Sequence, residues 1–181
     1  MKKYVKIFQT IKPFSRILKI EGDKSLSIRW ALIASQATGK SRSLNLLKSE
    51  DVLDTLECLK KLGTKIIFRK NLCEINSNGI NSFDYRKNIT LNSGNSGTLG
   101  RLIMGLLVHS KIKIKIIGDK SLSTRDFSRV TEPLKKFGAK FITNKGKLPI
   151  EILGTNNPKP IRYHEVKGSA QCKSSVMLAA L

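Results

Sequence analysis

Apolar and polar positions along the chain follow two rhythms. Residues 50–62 place Val52, Leu53, Leu56 and Leu59 at helical spacing, with Glu50 and Asp51 first, Lys60 and Lys61 last and Gly63 at the stop, which predicts an amphipathic helix. Residues 126–137 repeat that pattern, and LKKLGTKI at 59–66 returns as LKKFGAKF at 134–141. Lys111–Ile117 alternates lysine and isoleucine, the period-two signature of a half-buried strand. Further strands are expected at Tyr4–Phe8, Ile17–Ile20, Ser43–Leu47, Lys65–Phe68, Leu72–Ile75, Lys140–Thr143 and Leu148–Leu153. One stretch is apolar all round. Leu99–Val108 is interrupted only by Arg101 among charged residues, and it follows Gly94, Asn95, Ser96, Gly97 and Thr98, which are turn and N-cap types. A glycine-rich loop opening a buried helix presents free N–H groups and the positive end of the helix dipole, which suits an anion.

That loop and helix recur at a spacing of 72 residues. GDKSLSIRWALIASQA at 22–37 stands one period earlier, and KGSAQCKSSVMLAAL at 167–181 one period later. In this register Arg29, Arg101 and Lys173 share a position, as do Lys24, Ser96 and Gly168, and Ser25, Gly97 and Ser169. Constant spacing with a basic residue at one place points to an internal repeat. Asp23 or Ser25 can cap the first helix, which is expected to run to about Ala37 and stop at Gly39. Each unit then reads as helix, strand, helix, strand, strand, with a strand leading in. The expected class is α/β (α+β), with repeated βαβαββ units and mixed sheets. The third unit has barely opened when the sequence stops at Leu181 with no helix stop signal, so the chain reads as an incomplete one.

The 181 residues carry 34 basic and 13 acidic side chains, a net charge of +21, which points to an anionic partner: nucleic acid, a membrane surface or a phosphorylated metabolite. Aromatic residues are only 6%, and no basic run is interleaved with them, which argues against a platform for single-stranded nucleic acid. Cys58, Cys73 and Cys172 lack zinc or disulfide spacing, so no metal is expected. There is no apolar run of membrane-spanning length and no signal peptide at MKKYVKIFQTIKPF, so a cytoplasmic location is expected.

Four segments, DKSLSIR, GNSGTLGR, GDKSLSTRDFSRV followed by PLKKFGA, and GSAQCKSS, resemble in order and spacing the signature segments of the 5-enolpyruvylshikimate-3-phosphate synthases. The resemblance covers essentially the whole chain. It implies an enolpyruvyl transferase fold of two similar domains, each of three βαβαββ units around buried parallel helices, with substrates in the cleft between them. Residues 1–20 would belong with a second, missing domain, and 21–181 would form one domain cut within its third repeat. The implied reaction transfers the enolpyruvyl group of phosphoenolpyruvate to the 5-hydroxyl of shikimate 3-phosphate and releases phosphate. No cofactor is implied, and the complete enzyme is expected to be a monomer.

By resemblance, Lys24 lies between the two substrates and is the catalytic cation. Ser25, Arg29, Ser169, Ala170 and Gln171 join Lys24 in binding shikimate 3-phosphate. Asn95, Gly97 and Arg125, with Lys24 and Gln171, bind phosphoenolpyruvate. Glycine at position 97 implies sensitivity to glyphosate, which occupies the phosphoenolpyruvate site. The proton-moving carboxylates of the family belong to the missing domain, so the chain alone is expected to be inactive. Arg101 is either a ligand or a structural residue. Ser27, Ser123 and Ser174 read as helix-surface hydroxyls, Cys172 as a small core residue, and His109 and His164 as structural. Family members carry proline after the arginine matching Arg125; here Asp126 follows, and its carboxylate is expected to compete for that arginine.

Two other readings differ in their features. The sister transferase acting on UDP-N-acetylglucosamine carries a cysteine before the matching arginine and asparagine after the first lysine; here residues 118–125 have no cysteine and Ser25 follows Lys24. A basic nucleic-acid-binding module is supported by net charge alone, with no recognition signature, so no specific nucleic acid partner is expected. The apparent truncation also admits a degenerate, inactive copy.

Overall fold

A computed structural model of the chain describes residues 4–6, 8–10, 12–85 and 89–181. Among the described residues, twelve helices and strands follow in order: α1 (Lys24–Ala34), β1 (Thr38–Leu44), α2 (Glu50–Lys61), β2 (Lys65–Arg69), β3 (Leu72–Asn78), β4 (Thr90–Asn92), α3 (Gly97–Leu106), β5 (Lys113–Ile117), α4 (Ser128–Lys136), β6 (Lys140–Asn144), β7 (Lys147–Leu153) and α5 (Ala170–Ala179). Short 3-10 turns at Leu107–His109 and Leu122–Thr124 extend α3 and precede α4. The second unit, β4 to β7, is a βαβαββ repeat. The first unit has the same order from α1 to β3 without a leading strand among the described residues.

Each unit contributes one sheet. The first is antiparallel, in the order β1-β3-β2, and the second runs β4-β5-β7-β6 with β4 and β5 parallel. The alternation expected for lysine and isoleucine holds: Ile114 and Ile116 are buried while Lys113 and Lys115 are exposed. The amphipathic helices behave likewise. α2 buries Val52, Thr55, Leu56, Cys58 and Leu59, and α4 buries Val130, Thr131, Pro133 and Leu134.

The core is organised by α3, which buries every residue from Gly97 to Leu106 except Arg101. Its main partner is α5. Thr98 meets Gln171, the Arg101 carbonyl accepts from the Ser175 hydroxyl, and His109 Nε2 lies 3.2 Å from the Ala179 carbonyl. The contacts advance along both segments together, so α3 and α5 run parallel. Gly105 makes the close crossing possible: a Cβ there would overlap the Ser175 carbonyl and press on Leu178.

Several sequence expectations need correction. Residues 17–20 form no strand; Ile17, Leu18 and Ile20 are exposed, and the chain is joined to the fold at Asn45, whose amide donates to the Ile20 carbonyl. The expected strand at 4–8 includes Ile7, which lies outside the described residues, and its described residues carry no strand. α1 ends at Ala34, because Ser35 turns its hydroxyl onto the Leu32 carbonyl and its N–H onto that of Ala31. Gly39 is therefore not a stop but part of β1, which spans Thr38–Leu44 rather than 43–47. Its TGKSRSL sequence has almost no apolar signal, and pairing along all of β3, with Arg42 opposite Glu74, makes it a strand. Ser27 is buried rather than on the surface, where its hydroxyl accepts from Leu47 N–H. Cys172 is buried and His109 is a helix-packing residue, as expected.

Candidate functional site

The three loops opening α1, α3 and α5 are built by the same device. Asp23, Ser96 and Ser169 each hold extended backbone and accept, through the side chain, the N–H three residues on: Leu26 at 2.7 Å, Leu99 at 3.2 Å and Cys172 at 3.2 Å. These caps are spaced one residue wider than the 72-residue register. Arg29, Arg101 and Lys173 consequently fall at successively earlier positions in their helices and are not equivalent. Lys173 is exposed, whereas Arg29 and Arg101 are half-buried and each turns a guanidinium Nη1 back onto the carbonyl four residues before it, Ser25 or Gly97.

The second loop is the most constrained. Gly94 has φ +52°, and a Cβ on it would overlap the Asp54 carboxylate of α2. One turn earlier on α2, Asp51 forms an ion pair with Lys24 at 3.1 Å. The start of α2, where the helix dipole favours carboxylates, thus sits between the first and second loops. Burial, and then Asp51 and Glu50 nearby, raises the pKa of Asp54.

Two guanidinium groups converge on the first turn of α3. A Cβ on Gly97 would lie 2.7 Å from Arg101 Nη1 and 3.2 Å from Arg125 Nη1. Arg101 is held on every side. It donates to the Gly97 carbonyl at 3.1 Å, to Gln171 Oε1 at 3.2 Å and to the Asp126 carbonyl at 3.2 Å, and it stacks 4.7 Å above the Phe127 ring. Burial, reinforced by the neighbouring Arg125, pulls its pKa down. Gln171 completes the link by donating to Thr98 Oγ1 at 3.0 Å, so the third loop is fastened to the second. Arg125 is exposed, and its Nη2 lies 3.5 Å from Asn95 Oδ1.

The structure brings Asn95, Gly97, Arg125 and Gln171 into one cluster. Lys24, Ser25 and Arg29 form a second group on the first loop, tied to α2 through Asp51. Ser169 and Ala170 open the third loop, where the first N–H groups of α5 have no partner within the helix. Asp126 does not compete for Arg125: its carboxylate caps α4 by accepting Ser128 N–H at 2.8 Å, and that bond lowers its pKa. Sequence reasoning missed the hub role of Arg101, although a lone charge inside an apolar run was its signal. It also missed Glu165, which accepts from Arg129 and the Tyr163 hydroxyl and fixes the segment leading to Ser169. Among the described residues no group of three His, Cys, Asp or Glu side chains could hold a metal ion, and no helix is long and apolar enough to cross a membrane.

Comparison with known proteins bears on this arrangement. The family model for EPSP synthase (3-phosphoshikimate 1-carboxyvinyltransferase) matches residues 8–181. The chain belongs to the EPSP synthase family. It is 38% identical over 181 residues to the 3-phosphoshikimate 1-carboxyvinyltransferase of Streptococcus pyogenes serotype M2, covering 99% of this chain and 42% of that protein. The Streptococcus suis protein of the same name is 38% identical over 179 residues, again with 42% of its length covered. An EPSP synthase structure from Acinetobacter baumannii superposes with a TM-score of 0.84 at 34% identity, covering 90% of this chain and 37% of that one. The chain therefore spans less than half the length of these EPSP synthase relatives, and its α/β architecture is that of the family.

Proposed function

We propose that this chain supplies one wall of an active site that transfers the enolpyruvyl group of phosphoenolpyruvate to the 5-hydroxyl of shikimate 3-phosphate, releasing phosphate. The observation that carries the reading is the convergence of Arg101 and Arg125 on Gly97 at the start of α3. Glycine at 97 leaves backbone N–H groups and one exposed guanidinium open to an anion, while Arg101 holds the frame.

In this reading Arg125 and Asn95 grip phosphoenolpyruvate, with Gly97 admitting it against the backbone and Gln171 bordering it. Ser25, Arg29, Ser169, Ala170 and Gln171 hold shikimate 3-phosphate. Lys24 lies between the substrates and neutralises charge that develops on transfer, once it exchanges Asp51 for the anions. Three carboxylates around the site are already engaged, Asp51 with Lys24, Asp119 with Asn95 and Asp126 with Ser128, while Asp54 lies against Gly94 of the second loop. The groups that move protons belong, in this reading, to a second domain. Residues 1–20 would pack there, which is supported by exposed Phe14, Ile17 and Ile20, and 21–181 would be the incomplete first domain. The three free, buried thiols support placing the reaction in the reducing cytoplasm.

Isothermal titration in about 0.15 M salt, where long-range attraction to a basic surface is screened, tests the substrate assignment. Shikimate 3-phosphate is expected to bind more tightly than inorganic phosphate, and UDP-N-acetylglucosamine no better than phosphate. The reverse preference would overturn the reading in favour of the sugar nucleotide.

A further inference from the structure

The carboxylate of Asp119 lies at the end of β5 and is absent from the roles assigned above. We propose that Asp119 is a positioning residue that locks Asn95 and Arg125 into a single anion-gripping pair. The inference rests on the proposed phosphoenolpyruvate site, whose geometry it explains.

Asp119 is stapled to the second loop through its backbone, its N–H donating to the Gly94 carbonyl at 2.8 Å. Its two carboxylate oxygens then do different jobs. Oδ2 accepts from Asn95 Nδ2 at 2.5 Å, and Oδ1 accepts from Leu122 N–H at 2.6 Å. The first bond sets the sense of the Asn95 amide. A side-chain amide has one donor end and one acceptor end. With its NH2 drawn to a carboxylate, Asn95 must turn its oxygen towards Arg125 Nη2, where it lies at 3.5 Å. Reversed, it would set donor against donor. The second bond caps the 3-10 turn Leu122–Thr124, which ends on Arg125. One carboxylate thus fixes both the side chain that orients Arg125 and the turn that delivers it.

The charge is part of the device. Leu122 N–H and then the Asn95 amide lower the Asp119 pKa, so the carboxylate stays ionised and remains an acceptor on both oxygens. A carboxylate occupied in this way is poorly suited to contact an anionic substrate, which separates its role from that of the residues it holds.

The test is NMR on the 15N-labelled 181-residue chain, wild type and with Asp119→Asn or Asp119→Glu. The asparagine variant keeps an oxygen for Leu122 but faces Asn95 with a second NH2. The Asn95 side-chain amide is expected to shift and exchange faster in Asp119→Asn and to recover in Asp119→Glu. Phosphoenolpyruvate, followed at the Gly97 amide, is expected to bind about tenfold more weakly to Asp119→Asn, the scale of one lost charge-assisted bond. Shikimate 3-phosphate, followed at Ala170, is expected to bind unchanged. An Asn95 amide indifferent to the substitution, or equal weakening of both ligands, would overturn the proposal. A wild-type Gly97 amide that ignores phosphoenolpyruvate while Asn95 still responds to Asp119 would sink the substrate assignment and support the positioning role.

Discussion

The Arg101 guanidinium donates to the side-chain oxygen of Gln171 at 3.2 Å, across seventy positions of sequence, and so ties the second glycine-rich loop to the third. The same guanidinium spans α3, the Asp126 carbonyl and the Phe127 ring. The site is therefore held by a cation that is largely consumed in holding it, and the more exposed Arg125 is left to meet a ligand.

Arg101→Met is expected to lower the stability of the chain by about 2–3 kcal/mol, the range for losing hydrogen bonds made by a charged group. Arg101→Lys is expected to recover little, because an ammonium cannot bridge three carbonyl-type acceptors and lie flat on a ring. Urea unfolding midpoints measure both. A lysine variant as stable as the wild type would show that charge alone, and not the planar fork, is what the site needs.

Gly97→Ala introduces a methyl group 2.7 Å from Arg101 Nη1 and 3.2 Å from Arg125 Nη1. Arg101 Nη1, the nearer, must shift, and Arg125 must give by a few tenths of an ångström. Phosphoenolpyruvate binding is expected to weaken by about 1–3 kcal/mol, the scale of overpacking a well-packed site, and shikimate 3-phosphate binding to weaken less. Competition by glyphosate is expected to weaken as well. Titration with each ligand checks this, and unaltered glyphosate competition would count against the assignment of this loop.

Glu165 links stability to pH. Its pKa falls from 4.5 to about 2, chiefly through the Tyr163 hydroxyl and then through Arg129. A carboxyl whose folded pKa is depressed stabilises the fold above the unfolded value and loses that contribution as pH falls towards the folded one. The window is therefore from about 4.5 down to about 2. Glu165→Gln is expected to flatten the fall in melting temperature between pH 5 and pH 3. An unchanged slope would place the acid sensitivity elsewhere.

How far this site was legible in the sequence depended on how local its physics is. The amphipathic α2 and α4 and the alternating β5 are set by near neighbours, and pattern alone found them; it left the first cap open between Asp23 and Ser25, held Ser96 among several cap types, and did not single out Ser169 as a cap. β1 was misplaced because TGKSRSL has no apolar rhythm of its own; its strand state comes from β3. The expected rivalry between Asp126 and Arg125 failed because adjacency in sequence is not adjacency of charge: Asp126 turns to the Ser128 N–H. The 72-residue register found the three loops but equated Arg29 with Arg101 and Lys173. The caps are one residue further apart, and over a single residue a helix turns by about 100°. Arg101 and Asp119 act through partners on other elements, beyond the reach of any local pattern.

Lys24 and Arg125 carry the electrostatic part of the account. In a recombined two-domain enzyme, replacing either with methionine is expected to reduce kcat/KM by about 3–4 kcal/mol of transition-state stabilisation, the scale of one preorganised electrostatic group. Steady-state kinetics in both substrates decide it. Near-normal turnover of the Arg125 variant would move the phosphoenolpyruvate site away from Gly97.

Phosphate release from phosphoenolpyruvate and shikimate 3-phosphate is the decisive assay for a one-walled site, with this chain alone and mixed with the remaining C-terminal part of the Streptococcus pyogenes relative. Three carboxylates at the site, Asp51, Asp119 and Asp126, are each engaged, and a positioned acid–base group is worth about 10²- to 10⁴-fold in rate. No measurable release is expected from the chain alone, and release from the mixture is expected to disappear with Arg125→Met. Release by the chain alone would contradict a one-walled site. So would a silent mixture under conditions where the two halves of the Streptococcus protein restore turnover to each other.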